Sequence, residues 1–411
     1  MPSVLLVPDL PLERWAAMDK YAHRLHDWLE SSNFGFQVRL AAHIGALTRD
    51  SVGRRGSADG EHRKERTDRR KAFVRWWTQP VDPSRVILPG PLHGPQQWAA
   101  RYYFYPFRVK REAKRADLVH VLDHSYAHMI EKAGRRPVVV TVHDLMPVVV
   151  LRNPTENWRE GWREGVRTRF LRQALKALRQ ADAYIVGTEW LKHELATWLG
   201  NDKNIFVVPF GVYRAFFGES PARGARERWR RDWRIPEDAL VVLHVGSTVD
   251  RKNVPLVIQT IARLRTQTDA YLLQVGGRFT TDQEQLIDRL GLRSAVRSVA
   301  SADETALRRA YRAADVLLFP SLYEGFGFPV LEAFASGLPV VTSGAGALKE
   351  VAGGAAVVVE GRDPGDYVHA LERLDDLELR EELVEKGWAR AREFTWQKTA
   401  ALTAEVYKPL F

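Results

Sequence analysis

DVLLFPSLYEGFGFPVLEAFASGLPVV, residues 315–341, is the stretch from which the rest of the chain is read. The apolar run Val316 to Phe319 is predicted as a buried parallel strand. A turn follows, with Glu324 inside it and glycines at 325 and 327. Val330 to Ser336 reads as a helix that carries Glu332 and ends at Gly337. A second apolar strand starts at Pro339. A strand, a glycine turn and a helix N-terminus together make an anion or nucleotide site. Glu324 and Glu332 bracket that site. Carboxylates repel phosphate, but each accepts two or more hydrogen bonds from sugar hydroxyls. The segment therefore points to a ligand that joins a phosphate to a polyol, such as a nucleotide sugar.

At 411 residues the chain exceeds one ordinary core, so two domains are expected. An apolar fraction of 45% fits a globular protein. The absence of cysteine excludes disulfides, thiolate metal ligands and cysteine nucleophiles. It fits a reducing compartment, and a cytoplasmic location is expected. Val4 to Val7 is too short for the core of a signal peptide. No window reaches the ~20 apolar residues of a membrane span. The best candidate, PVVVTVHDLMPVVVL (137–151), is broken by His143, Asp144 and Pro147.

The net charge of +10 is uneven: residues 1–212 hold 34 Lys and Arg against 23 Asp and Glu, and the remainder 27 against 28. A basic first half fits an acidic partner such as anionic lipid, a phosphorylated acceptor or nucleic acid, or else a solvated arginine-rich surface. Residues 50–72 (DSVGRRGSADGEHRKERTDRRKA) contain almost no large aliphatic side chain and read as a mobile basic loop. FVRWWTQP follows, and later WAARYYFYPFRVKREAKR (98–115). Aromatics interleaved with arginine suit a membrane interface or single-stranded nucleic acid. They also suit an amphipathic helix packed on its own domain.

Apolar strands alternate with helical patterns along the chain. In the first half they fall near 3–7, 36–43, 85–89, 117–122, 137–142, 183–187 and 205–209. In the second they fall near 240–245, 270–275, 315–319, 339–342 and 355–359. Uninterrupted apolar strands separated by helices mean parallel sheets covered on both faces. The break near Pro209-Phe210-Gly211 divides the chain into residues 1–212 and 213–393, two Rossmann-like domains facing each other across a cleft. Residues 394–411, with Thr395 as helix cap, are predicted to cross back onto the first domain. Ligands in such sheets bind at the carboxyl ends of the strands.

Two further segments carry chemistry. VVLHVGSTVDRKNVPLVIQTIARL (241–264) is a strand, then Gly246-Ser247-Thr248, then Arg251 and Lys252, then a helix. Adjacent cations at a strand-to-helix turn suit a diphosphate and would stabilise its charge as it leaves. The plain alternative is an exposed pair at a helix start. TVHDLMP (141–147) places His143 and Asp144 at the end of a strand. His143 there is either structural or a partner for a sugar or a proton. Asp144 either orients His143 or caps the next turn.

With these residues the chain resembles glycosyltransferase family 4, retaining enzymes of the α/β GT-B fold, over most of residues 115–411. The family's Glu-x7-Glu motif matches Glu324 and Glu332, its Arg/Lys pair Arg251 and Lys252, and its N-domain histidine His143. Smaller matches are TEWLKHEL (188–195), VVPFGV (207–212), VGG (275–277) with Gly276, and LKEVAGGAAVVVE (348–360). The resemblance implies that Glu324 holds donor-sugar hydroxyls, supported by Gly325, Phe326 and Gly327. Glu332 would hold the ribose and His143 the sugar. Arg251 and Lys252, beside Gly246 and Ser247, would hold the diphosphate. Retention is explained by front-face attack, the leaving phosphate helping to deprotonate the acceptor. The chain departs from the family after its first strand, where PDLPLERWAAMDKYAHRL (8–25) has no glycine. Met18, Asp19 and Lys20 occupy the predicted helix start, and Lys20 is the candidate substitute.

No Asp-x-Asp stands at a strand end, and Asp375-Asp376 lies in a polar helical stretch, so a metal-independent reaction is expected. The expectation is a hexosyltransferase of mannose or glucose type. It takes a nucleotide diphosphate sugar and no other cofactor. Its acceptor is a sugar or lipid-linked molecule in cell-envelope polysaccharide or glycolipid synthesis, and the protein itself is expected to be peripheral on the inner membrane face. Nucleic acid is disfavoured as a partner. The rivals are a GT-B nucleotide-sugar epimerase or hydrolase and a non-catalytic GT-B-like binding protein.

Overall fold

The computed structural model describes residues 1–9, 16–41, 100–152, 166–217 and 224–411. Among these, two six-stranded parallel sheets are flanked by helices, as expected for the α/β class. The first contains β1 (Ser3–Val7), β2 (Gln37–Leu40), β3 (Leu118–Val121), β4 (Val138–Val142), β5 (Ala183–Val186) and β6 (Ile205–Val207), in the order β2-β1-β3-β4-β5-β6. The second contains β7 (Leu240–Val245), β8 (Ala270–Val275), β9 (Val296–Val299), β10 (Val316–Phe319), β11 (Val340–Ser343) and β12 (Val357–Val359), in the order β12-β11-β10-β7-β8-β9. β4 (VVVTV) and β10 (VLLF) are buried at every position, which is why β10 reads as an unbroken apolar run and β4 as one interrupted only by Thr141.

β9 was not expected from the sequence. Its residues VRSV lie at the sheet edge and are half-buried or exposed, so Arg297 and Ser298 cost little there and no apolar run forms. The strand expected near 85–89, the basic stretch 50–72 and FVRWWTQP fall outside the described residues. The helix expected at 330–336 begins earlier, at Phe328, because Pro329 fits the first turn. Gly337 ends it with φ 71°. No helix among the described residues is long and apolar enough to cross a membrane.

Contacts divide the chain into two compact units. The first comprises Met1–Thr141, Arg172–Tyr184 and Ala404–Phe411, and the second Val142–Leu171 and Ile185–Thr403. In the second unit, helix Val254–Leu264 presents Val254, Val257, Ile258 and Ile261, the i, i+3, i+4, i+7 face. That face joins Leu272, Leu318 and Val341 from the sheet and Tyr367 and Leu371 from helix Pro364–Glu372 in one core. The order of the second sheet reverses between β7 and β10, the position at which open parallel sheets offer their ligand crevice.

The first unit buries a polar chain. The Tyr407 hydroxyl lies 2.6 Å from His120 Nδ1, and His120 Nε2 lies 2.8 Å from Thr141 Oγ1. Tyr21 reaches the same threonine at 3.3 Å. The Tyr407 ring also meets Phe36 edge-on at 5.6 Å, so the last helix, Trp396–Tyr407, is anchored by both its ring and its hydroxyl. Tyr407→Phe keeps the ring and strips the hydroxyl, removing one buried hydrogen bond to the His120 imidazole. The expected loss is about 1–3 kcal/mol of unfolding free energy in a denaturant titration.

Candidate active site

The turn after β10 is held by backbone packing that only glycine permits. A Cβ on Gly325 would lie 1.9 Å from the His143 carbonyl oxygen, and one on Gly346 2.4 Å from the Glu324 carbonyl oxygen. That Glu324 carbonyl accepts from the Ala347 N–H at 2.9 Å. The Gly325 carbonyl accepts from the Thr188 hydroxyl at 3.2 Å. Thr188 also caps helix Glu189–Leu199. The Glu350 carboxylate accepts from the first two N–H groups of that helix, Glu189 and Trp190, at 2.9 and 2.8 Å, where the helix dipole favours a negative charge.

Opposite Glu324 stands the turn after β7. Asp250–Lys252 forms one 3₁₀ turn, and Asn253 (φ 53°) leads into helix Val254–Leu264. The Arg251 carbonyl accepts from the Leu322 N–H at 2.7 Å, which ties the two turns together. Lys252 Nζ bonds Glu324 Oε1, and Arg251 Nη1 lies 3.2 Å from Oε2. Lys252 and Glu324 are each only 7% exposed. Lys252 Nζ sits 4.8 Å from the centre of the Phe319 ring, a cation–π contact. Burial alone would raise the Glu324 carboxyl, but the Lys252 and Arg251 charges outweigh it and hold the group below its ordinary value. Burial lowers the Lys252 ammonium from its usual value, against the pull of Glu324. Burial also works against Arg251, but Glu324 and Asp144 raise it overall.

Gly246 (φ 151°) and Gly276 (φ 105°) end the neighbouring strands β7 and β8. A Cβ on Gly276 would lie 3.2 Å from the Gly246 carbonyl oxygen. Two glutamines fix this loop. Gln274 Nε2 donates to the Gly246 carbonyl at 2.9 Å, and Gln283 Nε2 to the Thr248 carbonyl at 2.9 Å. Gln274 Oε1 lies 2.6 Å from His244 Nδ1, which puts the imidazole proton on Nδ1. Burial pushes His244 down to about 4, so the ring is neutral. Sequence reading passed over His244, Gln274 and Gln283. The signal for the first two was a polar residue inside an otherwise apolar strand, in LVVLHV and AYLLQV.

β4 belongs to the first sheet, yet Val142 and the His143-Asp144 turn after it cluster with the second unit. His143 is half-buried, its ring 5.2 Å from that of Phe210. Of the two roles considered for Asp144, capping is formed: its Oδ1 accepts from the Met146 N–H at 3.0 Å. Tyr323, also passed over, accepts from the Leu145 N–H at 3.0 Å and packs its ring on Trp190 at 5.5 Å. It joins the His143-Asp144 turn to the Glu324 turn. Phe326 packs on Phe210 and Phe328 at 4.9 and 5.0 Å. Gly327 (φ 109°) opens helix Phe328–Ala335, and Ser247 is exposed in the β7 loop. Glu332 is engaged elsewhere, accepting from the Tyr311 hydroxyl at 2.8 Å. Lys20 is half-buried in the first unit, past the first turn of helix Ala16–Ser31 rather than at its start.

The description "Glycosyl transferases group 1" matches residues 225–390, and "Glycosyltransferase Family 4" matches residues 56–215. The chain belongs to the group 1, family 4 glycosyltransferases. It is 34% identical over 242 residues to D-inositol 3-phosphate glycosyltransferase 2 of Catenulispora acidiphila, covering 55% of this chain and 56% of that one. It is 36% identical over 217 residues to the MMP alpha-(1->4)-mannosyltransferase of Mycolicibacterium hassiacum, covering 50% and 48%. The chain thus spans about half the length of the curated relatives it matches. Its fold is similar to sucrose-phosphate synthase from Thermosynechococcus elongatus, with TM-score 0.69, 20% identity and coverage of 100% and 99%. It is also similar to Anabaena HepE, solved with UDP and glucose, with TM-score 0.67, 18% identity and coverage of 98% and 99%. These likenesses identify the fold as GT-B.

The neutral His244 links this family site to acid stability. The free imidazole titrates near 6.5 and the buried one near 4, so between these values the unfolded chain binds the extra proton. Stability from this group is complete above about pH 6.5 and is lost as pH falls toward 4, with a slope of about 1.4 kcal/mol per pH unit. In urea titrations across that window, His244→Gln is expected to flatten the fall by roughly one proton's worth.

Proposed function

We propose that this chain transfers a hexose from a nucleotide diphosphate sugar to an acceptor, with retention and without a metal ion. The observation that carries this reading is the buried contact of Glu324 with Lys252 and Arg251. It lies where the two innermost strands of the second sheet end, beside the Gly246 loop. In the proposed reaction Arg251 and Lys252 hold the diphosphate and stabilise the charge it gains as the bond to the anomeric carbon breaks. The acceptor oxygen attacks the same face, and its proton passes to the departing phosphate. Glu324 orients the sugar through its hydroxyls and His143 contacts that sugar. Glu332 takes the ribose, with Tyr311 fixing its carboxylate. The fixed cations supply the positive charge that such a leaving group requires, in a site where positioning and electrostatics provide most of the rate.

Relatives named as mannosyltransferases support a donor of mannose type, and those named for D-inositol 3-phosphate support a polyol-phosphate acceptor. We place the acceptor at an anionic membrane surface, on the cytoplasmic side, in envelope polysaccharide or glycolipid assembly. Support comes from the first unit. Tyr103 and Phe107 are 72% and 68% exposed, one helical turn apart. Lys110, Arg111, Lys114 and Arg115 continue outward-facing beside them. Exposed rings beside cations match an anionic interface.

Two outcomes are expected. Glu324→Ala and Lys252→Ala each lower hexosyl transfer by about 10²-fold or more while cooperative unfolding persists. Full transfer by a folded Glu324→Ala protein would remove the site assignment, and donor consumption without acceptor would move the activity to hydrolysis. In co-sedimentation, phosphatidylglycerol vesicles are expected to retain the protein at low salt. Paired Tyr103→Ala and Phe107→Ala substitutions, or high salt, should release it. Absence of binding at low salt would exclude the membrane placement.

A further inference from the structure

Both oxygens of the Glu324 carboxylate are on cations, Oε1 on Lys252 and Oε2 on Arg251. A nucleotide diphosphate sugar requires the same two cations for its phosphates. We propose that Glu324 is an internal competitor for the leaving diphosphate and exchanges partners during turnover. With the donor in place it accepts hydrogen bonds from sugar hydroxyls and leaves Lys252 and Arg251 to the diphosphate. After transfer it returns to them and expels the nucleoside diphosphate. This inference rests on the donor-site reading above.

The geometry makes the carboxylate the moving partner. Lys252 is held by the Phe319 ring, and Arg251 by the Tyr323 carbonyl at 3.4 Å. The Glu324 main chain is pinned by the Ala347 N–H and by Gly325 packed against His143. Only the Glu324 side chain is left to swing, through rotamers and without a loop movement. A carboxylate this buried cannot stand without donors. Sugar hydroxyls are donors; a diphosphate has none to offer at neutral pH. The donor therefore compensates the carboxylate it displaces, and the product does not. The same residue then favours donor over product in binding and drives the product out once the sugar has left. While it rests on the two cations, their charge keeps the Glu324 carboxyl below its ordinary value, so it is an anion there.

The test is calorimetric binding of GDP, UDP and their hexose derivatives to the wild-type chain and to Glu324→Gln, which keeps the size and removes the charge. Glu324→Ala serves as a second variant, with melting curves confirming that each is folded. The expected result is nucleoside diphosphate affinity at least tenfold tighter in both variants. The ratio of donor to diphosphate affinity should fall by more than that. Unchanged or weaker diphosphate binding in folded variants, with the wild type still binding it, overturns the exchange and leaves the donor site standing. A wild-type chain that binds none of these ligands overturns the donor-site reading itself.

Discussion

A carboxylate buried between two cations is the constraint around which the second unit is arranged. None of Glu324, Lys252 and Arg251 is stable in a dry interior alone. Removing one partner of such a cluster costs about 3–5 kcal/mol, because the remaining charge is left uncompensated. The fold must therefore bring the turn after β7 and the turn after β10 to the same place. It does so through the strand order: β7 and β10 pair directly, Val242 beside Val316 and Leu243 beside Leu317. Adjacent parallel strands end side by side, so the loops that follow them meet.

Close backbone approach then sets the precision of the site. Gly325 lies against the His143 carbonyl, Gly346 against the Glu324 carbonyl, and Gly276 against Gly246. Each contact fills the space where a side chain would begin. Behind the loop, neutral His244 orients Gln274, which in turn holds the Gly246 carbonyl. A neutral buried imidazole serves better here than a charged one, since it adds no positive charge beneath a cluster whose balance is already set. These polar supports lie among apolar strands and each has a defined bond, which is what a buried polar group requires.

Much of this was legible along the chain. The sequence pattern located eleven of the twelve strands among the described residues, the central ones because a parallel strand buried on both faces cannot hide its composition. The exception, β9, is an edge strand whose Arg297 and Ser298 reach solvent. The turns that carry Glu324, Arg251 and Lys252 were legible as loops at strand ends, but the basic pair read equally well as exposed cations at a helix start, because such pairs are common there. His244, Gln274, Gln283 and Tyr323 were not legible. Each is a single polar or aromatic residue whose role depends on a partner from another strand or loop, as with His244 and Gln274, 30 positions apart.

The sequence by itself determined the class of the protein: two parallel sheets, a glycine turn carrying a glutamate, and a basic pair after another strand. These follow from local composition and turn chemistry, which act over a few residues. Tertiary structure alone decided that Glu324 faces Lys252 from 72 positions away. It also decided that His143 packs with the second unit, and that Glu332 turns to Tyr311 rather than to the cations. The reason is that strand order and burial are settled by packing between distant segments, and a buried charge takes its partner from whatever the fold sets beside it.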